Sequence, residues 1–76
     1  MAIYKNLSGN SGVVSYEIKQ EAIVVEFKDG RYQNYQYDYL SAGRLNIEEM
    51  KRLALIGQGL NTYIMNNVRK GYSSKW

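Results

Sequence analysis

The 76-residue sequence contains no cysteine and no histidine. Without cysteine, no disulfide or thiolate metal site can add to the stability of the fold. Without histidine, the chain lacks the commonest general base and the commonest metal ligand. Carboxylates do not replace them, because the adjacent Glu48 and Glu49 would diverge by about 100° on a helix. We therefore predict a protein that is not an enzyme and has no catalytic residues, cofactor or metal site.

A long apolar segment is also missing. No apolar run approaches the roughly 20 residues of a transmembrane helix, and the first residues lack the apolar segment of a signal peptide. We expect a soluble, cytoplasmic protein with no membrane partner. The chain is long enough for a single domain, with the Ser- and Gly-containing residues 1–12 as a flexible N-terminal segment. Such a short chain has a marginal core, and pairing as a homodimer would bury more surface.

Three stretches alternate between two kinds of side chain with the period of two that a strand requires. They lie near residues 13–18, 22–28 and 31–39, and the sequence Lys-Asp-Gly at 28–30 predicts a hairpin between the last two. The third stretch places Tyr35, Tyr37 and Tyr39 on one face. That face either packs against helices or stays open for binding.

Two helices are predicted after the strands, near residues 46–56 and 60–70. Asn46, with Glu49 three residues later, is typical of a helix start, and Gly57 is a natural helix stop. The predicted fold class is α+β: a three-stranded antiparallel meander with two helices packed on one face, in the order β-β-β-α-α.

The order of short motifs resembles a known family. Val-Glu-Phe-Lys-Asp-Gly at residues 25–30 is followed by Tyr-x-Tyr at 35–37, a helix, and Asn-Val-Arg at 67–69 with Tyr72 close behind. This order resembles the KTSC family, named for a small domain at the C-terminus of some lysyl-tRNA synthetases and also found as a free-standing bacterial protein. The resemblance covers roughly residues 10–72. It implies a single KTSC-like domain over residues 1–76 and, through the fusion to a tRNA ligase, RNA as a partner.

The positive charge of the chain belongs to its C-terminal half. Residues 43–76 carry six Lys and Arg against two Glu, and the chain has eight Tyr. Cations beside aromatic rings are what single-stranded nucleic acid requires, because the cations contact phosphates and the rings stack on bases. The residues that we predict to bind RNA, whether tRNA or another structured RNA, are Arg69, Lys70, Lys75, Tyr72, Tyr35 and Tyr37.

An ordinary structural role explains the same residues. Arg69 and Lys70 are favoured at the C-terminal end of a helix by its dipole, and tyrosines can pack in a core with their hydroxyls at its edge. A further alternative is a protein-interaction or oligomerisation module of unknown partner, which uses the Tyr, Met and Ile side chains. An apolar surface patch would favour this alternative, whereas a basic stripe beside exposed tyrosine rings would favour RNA.

Overall fold

The computed structural model describes all residues from 1 to 76, and its framework is a five-stranded antiparallel sheet in the order β1-β2-β3-β4-β5. The strands are β1 (Ala2–Ile3), β2 (Val13–Ile18), β3 (Ala22–Phe27), β4 (Asn34–Asp38) and β5 (Tyr72–Lys75). The helices are α1 (Tyr39–Ala42), α2 (Arg44–Ile56) and α3 (Leu60–Tyr63), and α3 continues as a π-helical segment over Ile64–Val68. None of the helices is both long and apolar enough to cross a bilayer.

The predicted three-stranded sheet with two helices is wrong, because the sheet has five strands and the chain has three helices. The two additional strands lie at the sheet edges. β1 has only two residues, and β5 is mostly polar, so neither carries a period-two pattern of its own. Both form by pairing with a central strand: Ala2 pairs with Tyr16, and Tyr72 pairs with Tyr37.

β4 is shorter than the predicted strand at 31–39 at both ends: it begins only at Asn34, and Asp38 ends it and starts a helix. The Asp38 carboxylate accepts a hydrogen bond from Ser41 N at 2.8 Å, and Ser41 Oγ accepts one from Asp38 N at 3.0 Å. This reciprocal pair is a capping box, in which a side chain satisfies a backbone N–H that has no partner within the helix. Tyr39 therefore belongs to α1 and not to the strand.

The helix predicted near 46–56 begins two residues earlier, at Arg44, with Gly43 before it. Asn46 is not the cap, since its side-chain amide donates to the Ala42 carbonyl at 2.8 Å from within the first turn. The helix ends at Gly57, whose φ of 85° is the left-handed conformation that glycine adopts at low cost.

The core lies between the helices and one face of the sheet. Ile23, Val25 and Ile64 are fully buried, whereas Phe27 and Leu53 are half-buried at its margin. The core residues are Tyr4, Val13, Ile23, Val25, Tyr37, Ile47, Met50, Ala54, Leu60, Ile64 and Val68.

Tyr4 reaches this core from the N-terminal segment. It is 4% exposed, and its hydroxyl accepts a hydrogen bond from Leu60 N at 3.3 Å. Nearby, Leu7 N donates to the Gly57 carbonyl at 2.8 Å. The segment thus contributes an edge strand, one core side chain and hydrogen bonds to the end of α2 and the start of α3. The flexibility of residues 1–12 stays a prediction.

The opposite face of the sheet carries mainly polar side chains, with the buried Val24 between Glu17 and Gln36. Ser15 Oγ donates to the Glu26 carboxylate at 2.5 Å, and Lys19 Nζ donates to Gln36 Oε1 at 3.0 Å. Glu17 pairs with Val24 on the same face. With two carboxylates and one ammonium group among these residues, this face does not attract phosphate.

Candidate functional site

A cleft of about 310 Å³ lies between the loop after β3, strands β4 and β5, and the end of the π-helical segment. Its lining residues are Phe27, Asp29, Gly30, Tyr32, Tyr35, Tyr37, Met65, Arg69, Lys70 and Tyr72. We call it the aromatic cleft. Five of the six residues that we predicted to bind RNA line it, and the sixth, Lys75, contacts the rings of Tyr32 and Tyr72 at its border.

Pairing between β4 and β5 brings the predicted residues together. Tyr72 lies opposite Tyr37, and Lys75 lies opposite Tyr35. Residues three apart in a regular strand point to opposite faces. The irregular register between these two pairs adds one residue to β5 and thereby places both Tyr72 and Lys75 on the tyrosine face of β4.

The π-helical segment supplies the other wall. Met65 lies within this segment and lines the aromatic cleft. Arg69 and Lys70, which follow the end of the segment at Val68, line it as well. The predicted helix at 60–70 is regular only as far as Tyr63, and the irregular part is the part that borders the cleft.

The aromatic rings of the cleft pack edge to face. The ring centroids are 5.5 Å apart for Phe27 and Tyr35, 5.1 Å for Tyr35 and Tyr72, and 6.4 Å for Tyr37 and Tyr72, with interplanar angles of 79° to 86°. Tyr37 is a core residue, and Tyr35 and Tyr72 are half-buried walls. The faces and edges of these rings therefore pack mainly against one another.

Tyr39, the third tyrosine of the predicted face, lies away from the cleft. Its hydroxyl donates to Glu48 Oε2 at 2.7 Å, and this hydrogen bond raises the pKa of Tyr39 and lowers that of Glu48. Glu48 also pairs with Lys51 at 3.1 Å. This network fastens α1 to α2 and explains Tyr39 as a structural residue.

Tyr32 is the exposed ring of the site. It is 39% exposed, the Arg31 guanidinium lies 5.7 Å from its centroid, and Lys75 Nζ lies 4.9 Å from it. The sequence pattern does not single out Tyr32, because the strand predicted at 31–39 includes it. The Arg-Tyr pair directly after the Gly30 turn was the available signal, since loops after turns lie on the surface.

The cations of the cleft carry no ion pair. The two salt bridges of the structure join Lys51 to Glu48 and Arg52 to Glu49, both on α2. Lys75 Nζ donates to the Tyr72 hydroxyl at 3.2 Å, and this hydrogen bond raises the pKa of Lys75, so the ammonium group stays charged at neutral pH. Arg69 and Lys70 are exposed, and Asp29 is the one carboxylate in the lining.

Other chemistry has less support in the structure. No group of three or more acidic side chains lies close enough to hold a metal ion. The chain matches no family model, no curated protein and no solved structure. The geometry and charge of the aromatic cleft are therefore the basis for assigning a function.

Proposed function

We propose that the chain is a small, non-enzymatic RNA-binding module that holds unpaired nucleotides of tRNA or another structured RNA in the aromatic cleft. One observation carries this proposal: unpaired cations and aromatic rings from distant parts of the sequence converge on one concave surface. Sequence-specific and general readers of single-stranded RNA use this combination, because unstacked bases expose a flat apolar face beside a charged backbone.

The two kinds of residue have separate tasks in this proposal. Arg69, Lys70 and Lys75 contact phosphates. Tyr32 offers the stacking face, because its ring is exposed while Tyr35 and Tyr72 are packed edge to face. The carboxylates on the opposite face of the sheet repel phosphate, so RNA binds on the face that packs against the helices.

Membership of the KTSC family stays a proposal that rests on the short motifs at residues 25–30, 35–37 and 67–72. All three motifs contribute directly to the aromatic cleft. The first supplies Phe27 and Gly30, the second Tyr35 and Tyr37, and the last Arg69 and Tyr72. A shared binding surface would explain why such motifs recur far apart in the chain.

The proposal is tested by fluorescence-anisotropy titration of single-stranded RNA at several salt concentrations. Three cations that neutralise two or three phosphates predict a slope of log K against log[salt] of about −1.5 to −2. The double variant Arg69→Ala/Lys70→Ala should reduce the steepness by about 1.4, since each phosphate contact contributes roughly 0.7 on a single strand.

A matched control removes the same charge elsewhere. Lys5 and Lys19 are exposed and lie outside the aromatic cleft, so Lys5→Ala/Lys19→Ala should leave the slope close to that of the wild type. Absence of binding at low salt, or equal slopes for the two double variants, would refute the RNA proposal.

A second candidate is a protein-interaction or self-association module. Leu40 is 100% exposed and Leu45 is 86% exposed, and they lie on either side of the junction between α1 and α2. Sedimentation equilibrium would detect a homodimer, and Leu40→Ser/Leu45→Ser should dissociate one that forms through this patch. A chain that stays monomeric at all concentrations would remove the homodimer from this alternative.

A further inference from the structure

We infer that the aromatic cleft holds one nucleotide at a time, with the base hydrogen-bonded by the Tyr37 hydroxyl at the floor and the phosphate against Arg69 and Lys70. This inference rests on the proposed function and adds to it a ligand size, a buried donor and an orientation. It makes a single nucleoside monophosphate the minimal ligand of the protein.

The Tyr37 hydroxyl points to a ligand because it has no hydrogen-bond partner within the protein. Tyr37 is 1% exposed and lines the cleft, and its hydroxyl makes no hydrogen bond to another protein group. No fully buried side-chain nitrogen or oxygen of the structure lacks a hydrogen-bond partner. The small exposed part of Tyr37 therefore includes its hydroxyl. Because Tyr37 lines the cleft, we place this hydroxyl at the cleft floor, where it can bond a group that enters.

No protein group accepts a hydrogen bond from this hydroxyl, so its partner is either water or a group that enters the cleft. A base supplies the missing partner, because nucleobases carry carbonyl oxygens or ring nitrogens that accept hydrogen bonds at their edges. Burial raises the pKa of Tyr37 well above its ordinary value, and the nearby phenols of Tyr35 and Tyr72 add to this effect. The hydroxyl thus keeps its proton and acts as a donor at any physiological pH.

The size of the cleft limits its content. A volume of about 310 Å³ is near the lower end of the range of about 300–1,000 Å³ for small-molecule pockets. One planar base with part of its sugar fits such a space, and a row of stacked bases does not. An RNA strand would insert one unstacked nucleotide into the cleft, and its other nucleotides would lie outside, across the border of the cleft.

The charges of the border set the direction of the nucleotide. Arg69 and Lys70 line the cleft together with Met65, and Lys75 and Arg31 lie around the ring of Tyr32. Only Asp29 opposes these four cations within the lining. The phosphate therefore stays at the border while the uncharged base occupies the apolar interior between the aromatic side chains.

The first test is competition. Fluorescein-labelled oligo(U) of about a dozen nucleotides is bound to the full chain, and unlabelled uridine 5′-monophosphate, uridine or ribose 5-phosphate is added. Uridine 5′-monophosphate should displace the RNA. Uridine, which lacks the phosphate, and ribose 5-phosphate, which lacks the base, should each compete at least about tenfold more weakly. Equal competition by ribose 5-phosphate would overturn the inference, since the phosphate alone would then account for binding.

The second test removes one atom. Tyr37→Phe keeps the ring and should weaken uridine 5′-monophosphate about 3- to 10-fold, the loss expected for one neutral hydrogen bond. Its melting temperature should equal or exceed that of the wild type, because the hydroxyl has no partner within the protein. The control Tyr16→Phe removes the hydroxyl of a half-buried tyrosine outside the cleft and should leave affinity unchanged.

The two proposals fail differently. Wild-type binding of oligo(U) without displacement by millimolar uridine 5′-monophosphate, or a Tyr37→Phe variant with wild-type affinity, would refute the one-nucleotide inference and leave RNA binding standing. Absence of oligo(U) binding at low salt would refute both.

Discussion

The ring of Tyr72 stands edge-on to the ring of Tyr35, with 5.1 Å between the centroids and 79° between the planes. The first residue belongs to the short C-terminal strand and the second to a central strand, and they lie 37 positions apart in the sequence. This contact does two things at once: it fastens β5 to the sheet beside the backbone hydrogen bonds, and it forms one wall of the aromatic cleft. Stability and the candidate site therefore share residues.

Tyr72→Ala should lower the free energy of unfolding by about 1–3 kcal/mol, from the loss of two edge-to-face pairs of about 0.5–1.5 kcal/mol each. The pairs are those with Tyr35 and Tyr37. Urea denaturation measures the change, and Tyr72→Phe, which keeps both ring contacts, is the control. An alanine variant as stable as the phenylalanine variant would show that the pairs do not stabilise β5.

Gly57→Ala should destabilise the chain more than Gly59→Ala. Both glycines have a φ of 85°, so both alanines meet the same backbone strain of about 1–2 kcal/mol. A Cβ at Gly57 would also overlap the Lys5 side chain, whereas the nearest atom at Gly59 is Leu53 Cδ2 at 3.8 Å. The extra cost of overpacking is about 1–3 kcal/mol.

Thermal denaturation of the two glycine variants separates the shared strain from the close contact. A larger loss for Gly57→Ala means that the N-terminal segment is held against the end of α2 in solution. Equal losses of stability would mean that the N-terminal segment moves away without cost. That result would agree with the prediction that residues 1–12 are flexible.

The central strands lie where the alternation of side chains places them, and the edge strands do not follow from any such pattern. β2 and β3 are rich in β-branched residues, which favour strands. Their burial does not alternate strictly, because all residues from 22 to 25 are buried and the register of β2 shifts between Val13 and Ser15. β5 has the sequence Tyr-Ser-Ser-Lys and is held by its neighbour rather than by its own preference. Tertiary pairing of this kind involves residues far apart in the chain and leaves no local signal.

Acid should remove the stabilising effect of Asp38. The hydrogen bond from Ser41 N lowers the pKa of this carboxyl below its ordinary value. A group whose pKa is lower in the folded state stabilises the fold fully above its unfolded pKa, near 3.8, and this stabilisation is lost as the pH falls through the folded pKa.

Melting temperatures between pH 7 and pH 2 test this expectation with two variants. Asp38→Ala should lose about 0.5–2 kcal/mol at pH 7, the usual range for a helix N-cap. Asp38→Asn keeps an oxygen acceptor but cannot titrate, so its stability should converge with that of the wild type as the pH falls below about 4. Because Glu48 and Glu49 also have lowered pKa values, only the difference between variants is informative. A stability difference between the wild type and Asp38→Asn that does not change with pH would contradict the capping role of the charged carboxylate.

The predicted site residues are close together in the structure for a reason that the sequence contains only in part. The basic and aromatic composition of the C-terminus indicates the chemistry, but the position of Tyr35 and Tyr37 beside it depends on the pairing of β5 with β4. The free Tyr37 hydroxyl depends on what surrounds it. Which tyrosine is buried, which forms a wall and which is exposed is a property of the packed fold.

Tyr32→Ala should weaken RNA binding and leave the fold intact. Alanine at any other aromatic position of the cleft would also remove packing within the fold. Its ring is exposed and contacts mainly the cations of Arg31 and Lys75, whereas Phe27, Tyr35, Tyr37 and Tyr72 pack against one another. If a base stacks on this ring, its removal costs about 1–3 kcal/mol of binding free energy. Anisotropy titration of oligo(U) should then show a dissociation constant raised about 5- to 150-fold, with an unchanged salt slope because no phosphate contact is lost. Tyr32→Phe keeps the stacking face and should bind like the wild type. An alanine variant with wild-type affinity and an unchanged melting temperature would place the stacked base elsewhere in the cleft.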